Sequence, residues 1–283
     1  MFSRMVVVGD GSVGSLTVQL GDVSNGINLI DVNGLDPVKA TLTSSNFAGQ
    51  TGAIFQSSRR ETRNVLIKLG IEPDPTTQTV RSVRKTIYEI FRPETQVLLK
   101  FYDDESTSVS DGYQIVGRVE TCAPPAGRFS QAIQEPEVDI SIMCFDPDFQ
   151  DASPITVSGL TTSDSSPTLF AYDGTTETGV TITLNVNAAI SAFNIYYIDG
   201  NNVSWNMDAT VLLQIGDVVT INTTPGNKSA NLLRAGVTTS ILYAISPQST
   251  WPKLAPGNNW FKLHTASASI PVTVSYKKRF GEV

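Results

Sequence analysis

The sequence predicts a mainly β protein with two domains. Glycine and proline are frequent, at 21 and 15 of 283 residues, and short runs of Val, Ile, Leu and Thr lie between them. This spacing is typical of strands that are joined by turns. Apolar residues make up 40% of the chain and charged residues 17%, which favours a folded core and argues against disorder. Only one segment has the periodicity of a helix.

The density of charge changes near residue 150. The first 150 residues carry 32 charged side chains, whereas the remaining 133 carry 15. Turn-forming Asp and Pro residues cluster at the same place, in 146–148 and 151–154. We therefore expect one domain in residues 1–150 and a second in residues 151–283.

Strands account for most of the first domain. Apolar residues alternate with polar ones, or run almost without interruption over the length of a strand, at 16–20, 65–69, 97–101, 114–119 and 137–142. One segment differs, because apolar residues recur at Val80, Val83, Ile87, Ile90 and Phe91. This spacing predicts an amphipathic helix over 75–91.

The ends of the predicted helix follow from local chemistry. Asp74 is a good N-cap, Pro75 suits the first helical position, and Pro93 stops the helix. The face opposite the apolar stripe carries Arg81, Arg84 and Lys85.

The second domain reads almost entirely as strand. The candidate strands are 180–186, 195–198, 217–222, 241–243 and 271–276. Asp199-Gly200 follows one of them and is a typical hairpin turn. Short strands at regular spacing predict an antiparallel β-sandwich.

Charge and cysteine content exclude several classes of function. The net charge is −7, whereas proteins that bind duplex DNA or anionic membranes usually carry a basic excess. No apolar run approaches the length of a membrane span, so no membrane insertion is expected. The two cysteines form no disulfide framework; Cys144 shares the apolar face of its strand and Cys122 the polar face. This usage fits a reducing cytosol.

The motifs that resemble enzyme sites have simpler explanations. Residues 9–14 match the glycine spacing of a dinucleotide-binding loop, but that site needs a helix next, and residues 16–20 alternate as a strand. His264 is the only histidine, which is too few for a histidine metal site and has no nucleophile motif beside it. Asp103-Asp104-Glu105 reads as a hairpin tip rather than a cation site. The sequence therefore predicts no catalytic residue, cofactor or metal.

Two basic clusters and two tryptophans remain as candidate contact residues. Arg59, Arg60 and Arg63 form the densest basic cluster, which is either an interface or the solvated face of a strand. Trp251 and Trp260 flank a proline-rich loop, where they either stack on sugars or plug the edge of the sandwich.

The order of segments along the chain resembles the siphophage distal tail protein (Dit) family. The resemblance rests on 34–37, 54–59, 63–65, 91–93, 97–102 and 117–120, on ISIMCFDPDF at 140–149, and on 216–226, 254–259 and 276–281. No single run is diagnostic, but their order and spacing together are specific. The resemblance covers residues 16–281.

The resemblance implies a structural protein of a non-contractile phage tail. Members form a homohexameric ring that joins the last ring of the tail tube protein to the baseplate hub or tail tip protein. The N-terminal domain, a β-sandwich or barrel with one helix and an extended β-hairpin, surrounds a channel that passes DNA without binding it specifically. The C-terminal domain is a galectin-like sandwich that anchors a receptor-binding protein in some relatives. Such a protein is assembled in the host cytoplasm and resides in the virion tail.

These implications give the basic residues a role. We expect Arg59, Arg60, Arg63, Arg81, Arg84 and Lys85 at contacts between subunits, facing acidic edges of their neighbours. Three alternatives stay open: a carbohydrate-binding adhesion module that uses Trp251 and Trp260, a tail tube protein, and a hydrolase.

Overall fold

The computed structural model describes residues 2–8, 15–19, 23–49, 51–103, 112–123, 137–163, 166–266 and 269–282. The chain divides into two compact units. One consists of Met1–Ala152 together with Gly281–Val283, and the other of Ser153–Phe280. Both units are built from antiparallel strands, which confirms the predicted mainly β class.

The described residues of the first unit form ten strands and one α-helix. The strands are β1 (Phe2–Val8), β2 (Ser15–Gln19), β3 (Ile27–Asn33), β4 (Ala40–Ser45), β5 (Ile54–Arg60), β6 (Arg63–Ile71), β7 (Gln96–Asp103), β8 (Tyr113–Ala123), β9 (Glu137–Cys144) and β10 (Phe149–Asp151). The helix α1 spans Val80–Ile90. All five strand predictions for this part of the chain are confirmed.

The main sheet of the first unit has the order β2-β1-β7-β8-β9-β6-β3, and β10 adds to β8. Its two edge strands, β2 and β3, lie against each other, and Asn25 Nδ2 donates to Thr17 O at 2.7 Å near this closure. The sheet therefore curls like a barrel. Its interior is lined by alternate side chains of the strands, such as Val65, Ile67 and Leu69 on β6.

Helix α1 packs Val83, Ile87 and Ile90 against the sheet, which confirms the apolar stripe of the sequence. The predicted start is wrong, because the N-cap is Thr79 and not Asp74. The Thr79 hydroxyl accepts from Ser82 N at 3.1 Å, and the Ser82 hydroxyl accepts from Thr79 N at 3.0 Å. Asp74 instead accepts from Thr76 N at 2.8 Å and holds a turn before the helix.

Thirteen strands are formed by the part of the second unit that the structure describes. They are β11 (Ile155–Thr161), β12 (Thr168–Tyr172), β13 (Thr178–Gly179), β14 (Thr181–Asn185), β15 (Ile190–Ile198), β16 (Ser204–Leu213), β17 (Val218–Asn222), β18 (Ser229–Arg234), β19 (Val237–Ser240), β20 (Lys253–Leu254), β21 (Gly257–His264), β22 (Pro271–Tyr276) and β23 (Arg279–Phe280). The predicted strand at 241–243 is wrong, because Leu242–Ala244 form a 3-10 turn.

Two sheets enclose the core of the second unit. A six-stranded sheet has the order β11-β22-β14-β17-β18-β19, and a four-stranded sheet has the order β12-β21-β15-β16. Alternate residues of both sheets are buried between them, including Ile182, Val219, Phe193 and Phe261. Tyr197 stacks on Phe261 with ring centroids 5.6 Å apart. This arrangement is the predicted antiparallel sandwich.

Candidate functional site

The hairpin β4–β5 is an exposed apolar surface of the first unit. Its strands pair with each other and form a sheet of their own. Every residue of β5 is exposed, and the side chains of Leu42, Phe47 and Phe55 are between 60% and 67% exposed. Residues 40–58 carry no charge. A two-stranded hairpin alone is only marginally stable in water, so this one requires support at its base and a cover over its apolar side chains.

Arg63 supports the base of the hairpin from inside the unit. Its guanidinium donates to four backbone carbonyls: Pro147 O at 2.7 Å, Gly34 O at 2.5 Å, Asp36 O at 2.7 Å and Gly281 O at 2.6 Å. It also lies over the Phe149 ring, 4.4 Å from the centroid. Arg63 is only 2% exposed, and burial lowers the pKa of its guanidinium.

The position of Arg63 corrects the expectation for the first basic cluster. A side chain that is buried within its own subunit presents no surface to a neighbour, so Arg63 is not an interface residue. The burial of Arg63 could have been predicted from the alternation of residues along β6. Arg63 shares the parity of Val65, Ile67 and Leu69, which all face the core along β6.

The other two arginines of this cluster differ from each other. Arg60 forms a two-pronged ion pair with Asp148, a buried carboxylate, and one of the two bonds has a length of 2.9 Å. Arg59 is exposed and has no ion-pair partner among the residues that the structure describes. In this cluster, Arg63 is buried, Arg60 is partly exposed and bound to Asp148, and Arg59 is exposed.

The second basic cluster lies on the exposed side of α1. Arg81, Arg84 and Lys85 line a depression of about 490 Å³ together with Tyr88, Glu89 and Arg92. Lys85 and Glu89 approach to 3.6 Å, which neutralises one of the charges. Nε and Nη2 of Arg84 are buried and have no hydrogen-bond partner within the described part of the chain. The depression is therefore cationic, and the exposed charges of Arg81 and Lys85 are available to an acidic group.

The two tryptophans lie in different environments and form no common platform. Trp251 packs against the core of the sandwich, and its carbonyl accepts from Tyr197 Oη at 3.1 Å. Trp260 is 37% exposed on the outer face of the four-stranded sheet, where it pairs with Leu169 and Ile198. Tyr196 is exposed on the same face, one step along β15.

The histidine and the two cysteines of the described residues lie in environments that are unlike those of catalytic groups. His264 is exposed at the end of β21. Burial raises the pKa of both Cys122 and Cys144 to about 12, which leaves the two free thiols protonated at neutral pH. Across the described ranges, no three His, Cys, Asp or Glu side chains meet in a group that could hold a metal ion.

The glycine motif and the acidic tip were considered above as cofactor and cation sites. Residues 9–14 and 104–105 lie outside the described residues, but the segment after the glycine motif, Ser15–Gln19, is a strand and not the helix that a dinucleotide site needs. No helix in the described part of the chain is long and apolar enough to cross a membrane.

Comparisons with known proteins agree on one family. Residues 173–280 match the family described as siphovirus-type tail component, C-terminal domain. The structure is similar to that of the Dit protein of phage SPP1, with a TM-score of 0.70 and 18% identity over 98% of this chain and 99% of that one. It is also similar to a chain of the phage p2 baseplate, with a TM-score of 0.51 and 7% identity over both complete chains.

The structural similarities describe the fold alone, whereas the family match covers most of the second unit. The sequence comparison with curated proteins gives no match. The fold of a distal tail protein nevertheless extends over both units. Residues 173–280 thus match the siphovirus-type tail component, C-terminal domain, and the fold of the chain is similar to that of the SPP1 Dit protein.

Proposed function

We propose that this protein is the subunit of a structural ring in a siphophage tail. Six copies form the ring at the distal end of the tail tube, join the tube protein to the baseplate hub or tip protein, and leave a channel for DNA. The protein acts without catalysis, resides in the virion tail and is assembled in the host cytoplasm. The second unit stands outside the ring, where it is available to a receptor-binding protein.

The observation that carries this proposal is the exposed hairpin β4–β5. Its large apolar side chains are exposed in the single chain and its residues 40–58 carry no charge, whereas monomeric proteins rarely leave such a surface open. Its base is held firmly by Arg63 and Arg60. A rigidly anchored apolar arm is suited to insertion into a neighbouring copy, because its conformation is fixed before contact is made.

The cationic face of α1 offers a second contact of the same ring. A ring is closed by heterologous contacts, in which two different surfaces of each subunit meet. The chain is acidic overall, and its first 150 residues hold 19 of the 27 acidic side chains. Arg81, Arg84 and Lys85 therefore have a complementary surface to meet on the next subunit. Net negative charge also suits a channel that passes DNA without holding it.

The solution mass of the purified chain tests the ring. Six chains of 30.5 kDa make about 183 kDa, and negative-stain images should show an open centre. The double variant Phe47→Ser and Phe55→Ser should remain folded but should no longer assemble into the hexamer. It removes two exposed phenyl groups that only a neighbouring subunit covers. Leu169→Ser, which changes an exposed apolar residue of the second unit, should leave the ring intact. A wild-type chain that stays monomeric alone and with the tail tube protein overturns the proposal.

A carbohydrate-binding role is a second candidate, and the position of Trp260 favours it. Trp260 and Tyr196 expose two aromatic rings on one rigid sheet face, beside a polar network in which Asn206 Nδ2 donates to Asp208 Oδ2 at 2.8 Å. Aromatic faces beside fixed polar groups suit sugars. Binding to host cell-wall glycans should disappear in Trp260→Ala and persist in Tyr243→Ala. Equal glycan binding by the two variants, or none by the wild type, eliminates this role.

A further inference from the structure

The sandwich of the second unit has four sheet edges, and three of them are protected. Strand β16 is covered by residues 245–250, since Ser246 N donates to Asp208 O and Thr250 N to Asn206 O, both at 2.9 Å. The pairing of β11 shifts register between Val157 and Leu160. Strand β12 lies between Pro167 and Asp173. Covers, bulges, prolines and charges are the usual means by which proteins prevent an edge from pairing.

Within the described part of the chain, the fourth edge, β19, has none of these protections and is limited only by its length of four residues. It consists of Val237, Thr238, Thr239 and Ser240, pairs with β18 without a register shift, and is exposed along its whole length. Residues 235–252 carry no charge. The edge is therefore open to another strand in a way that the other three are not.

The hairpin β18–β19 fixes which backbone groups are open. Ala235 and Gly236 form its two-residue turn with φ values of 49° and 82°, so Arg234 and Val237 close the turn as a hydrogen-bonded pair. Because paired and unpaired positions alternate along an antiparallel ladder, the N–H and C=O groups of Thr238 and Ser240 point away from β18. These groups are suited to an extended partner strand.

Apolar side chains surround this edge. Leu212, Ile215, Val237 and Tyr243 are between 62% and 82% exposed. They are grouped around Arg234, which donates to Leu212 O at 2.9 Å and pairs with Val237 across the turn. Asp217 neutralises Arg234 through an ion pair of 2.6 Å and raises the pKa of its guanidinium. The Tyr243 hydroxyl raises this pKa further. The surface thus combines backbone N–H and C=O groups that point outward with exposed apolar side chains.

We propose that the β19 edge binds an extended, uncharged strand of another tail protein, which adds to the six-stranded sheet as a seventh strand. Main-chain hydrogen bonds to Thr238 and Ser240 would hold the strand, and apolar side chains at alternate positions would contact Tyr243, Leu212 and Val237. A charged segment is disfavoured, because the walls offer no counter-charge beyond the Arg234–Asp217 pair, which is already satisfied.

The occupant is a strand of a different polypeptide rather than the same edge of a second copy, and this step rests on the proposed ring. Pairing of β19 with β19 of another copy is a two-fold contact. Six subunits that are related by one six-fold axis cannot make such a contact within their ring. A strand from another protein fits every subunit of the ring equally.

Photocrosslinking in assembled tails tests the proposal. Tyr243 is replaced by the photoreactive p-benzoylphenylalanine in the full chain, and the crosslinked peptides are identified by mass spectrometry. The same replacement at Tyr196, an exposed tyrosine on the other sheet, is the control. We expect an adduct with a different tail protein, at least tenfold above the yield at Tyr196. An adduct that links two copies of this chain, or a yield no higher than at Tyr196, overturns the proposal.

A pair of lysine variants separates this surface from the ring. Val237→Lys places a charge at the edge, and Leu169→Lys makes the same kind of change at an exposed apolar residue elsewhere. We expect rings of unchanged mass in both variants, and at least a tenfold loss of the crosslinked protein from tails of Val237→Lys only. Loss of rings in Val237→Lys overturns the proposal. If the wild type forms no ring but still gives the adduct, the ring fails and the β19 site stands.

Discussion

The two basic clusters of the first unit look alike in the sequence and differ in the structure. Arg59, Arg60 and Arg63 lie where β5 passes into β6, whereas Arg81, Arg84 and Lys85 lie on α1. The first cluster is largely satisfied within the subunit, by backbone carbonyls and by Asp148. The second cluster is open to solvent and keeps unused donors on Arg84.

The geometry of the two elements explains this difference. Positions i, i+3 and i+4 share one face of a helix, so three basic residues at this spacing all point outward when the opposite face is buried. Along a strand, alternate residues face opposite sides, so a cluster is divided between the core and the solvent. A basic cluster is therefore a better sign of a contact surface on an amphipathic helix than on a strand.

The largest expected effect is the loss of Arg63. Arg63→Leu leaves four backbone carbonyls without their donor and empties a buried site, so it should destabilise the first unit by about 3–5 kcal/mol. Arg63→Lys should recover less than half of this loss, because a lysine has three donors and no planar fork. Arg59→Leu is the matched control and should change stability by less than about 0.5 kcal/mol.

The chain provides separate probes for its two units. All three tryptophans lie in the second unit, and both cysteines lie in the first. Labelling of the Cys144 thiol in increasing urea therefore follows the first unit, since Cys144 is buried in the folded state. Tryptophan fluorescence follows the second. If the Cys144 thiol of Arg63→Leu becomes accessible at the same urea concentration as in the wild type, the role assigned to Arg63 is wrong.

A smaller effect is expected from Arg60. Arg60→Gln removes the ion pair from Asp148, whose carboxylate is buried although Arg60 itself is partly exposed. We expect a loss of about 1–3 kcal/mol, below that of Arg63 because solvent screens one partner. The double variant with Asp148→Asn should lose less than the two single variants added together, as measured by the same thiol labelling. Strict additivity would show that the pair contributes nothing to anchoring the hairpin.

Much of the fold could be predicted from the sequence, because alternation and turn residues report on which faces are buried. The strands around Val65 and Ile140 and the stripe of α1 follow directly from this pattern. The start of α1 did not, because Asp74-Pro75 has the chemistry of a helix start but forms a turn, and the reciprocal bonds of Thr79 and Ser82 are less obvious in a sequence.

The surfaces were harder to predict than the fold. Apolar residues such as Phe55 and Tyr243 are indistinguishable from core residues in a sequence, since burial depends on what lies opposite them in space. The open edge β19 has a similar cause. The sequence shows that 235–252 lacks charge, but only the order of the described strands shows that none of them lies beside the outer edge of β19.

The smallest expected change in stability belongs to the cluster on α1, and it is the sharpest test of the comparison. The triple variant Arg81→Gln, Arg84→Gln and Lys85→Gln removes exposed charges and an unsatisfied guanidinium, so the thiol-labelling transition should move by no more than about 0.5 kcal/mol. The fraction of chains in rings should nevertheless fall at least tenfold in sedimentation velocity. Arg63→Leu differs in its stability effect, because it lowers the stability of the first unit and removes no exposed contact residue. A triple variant that unfolds early, or that forms rings as well as the wild type, would show that the two clusters do not divide anchoring and assembly between them.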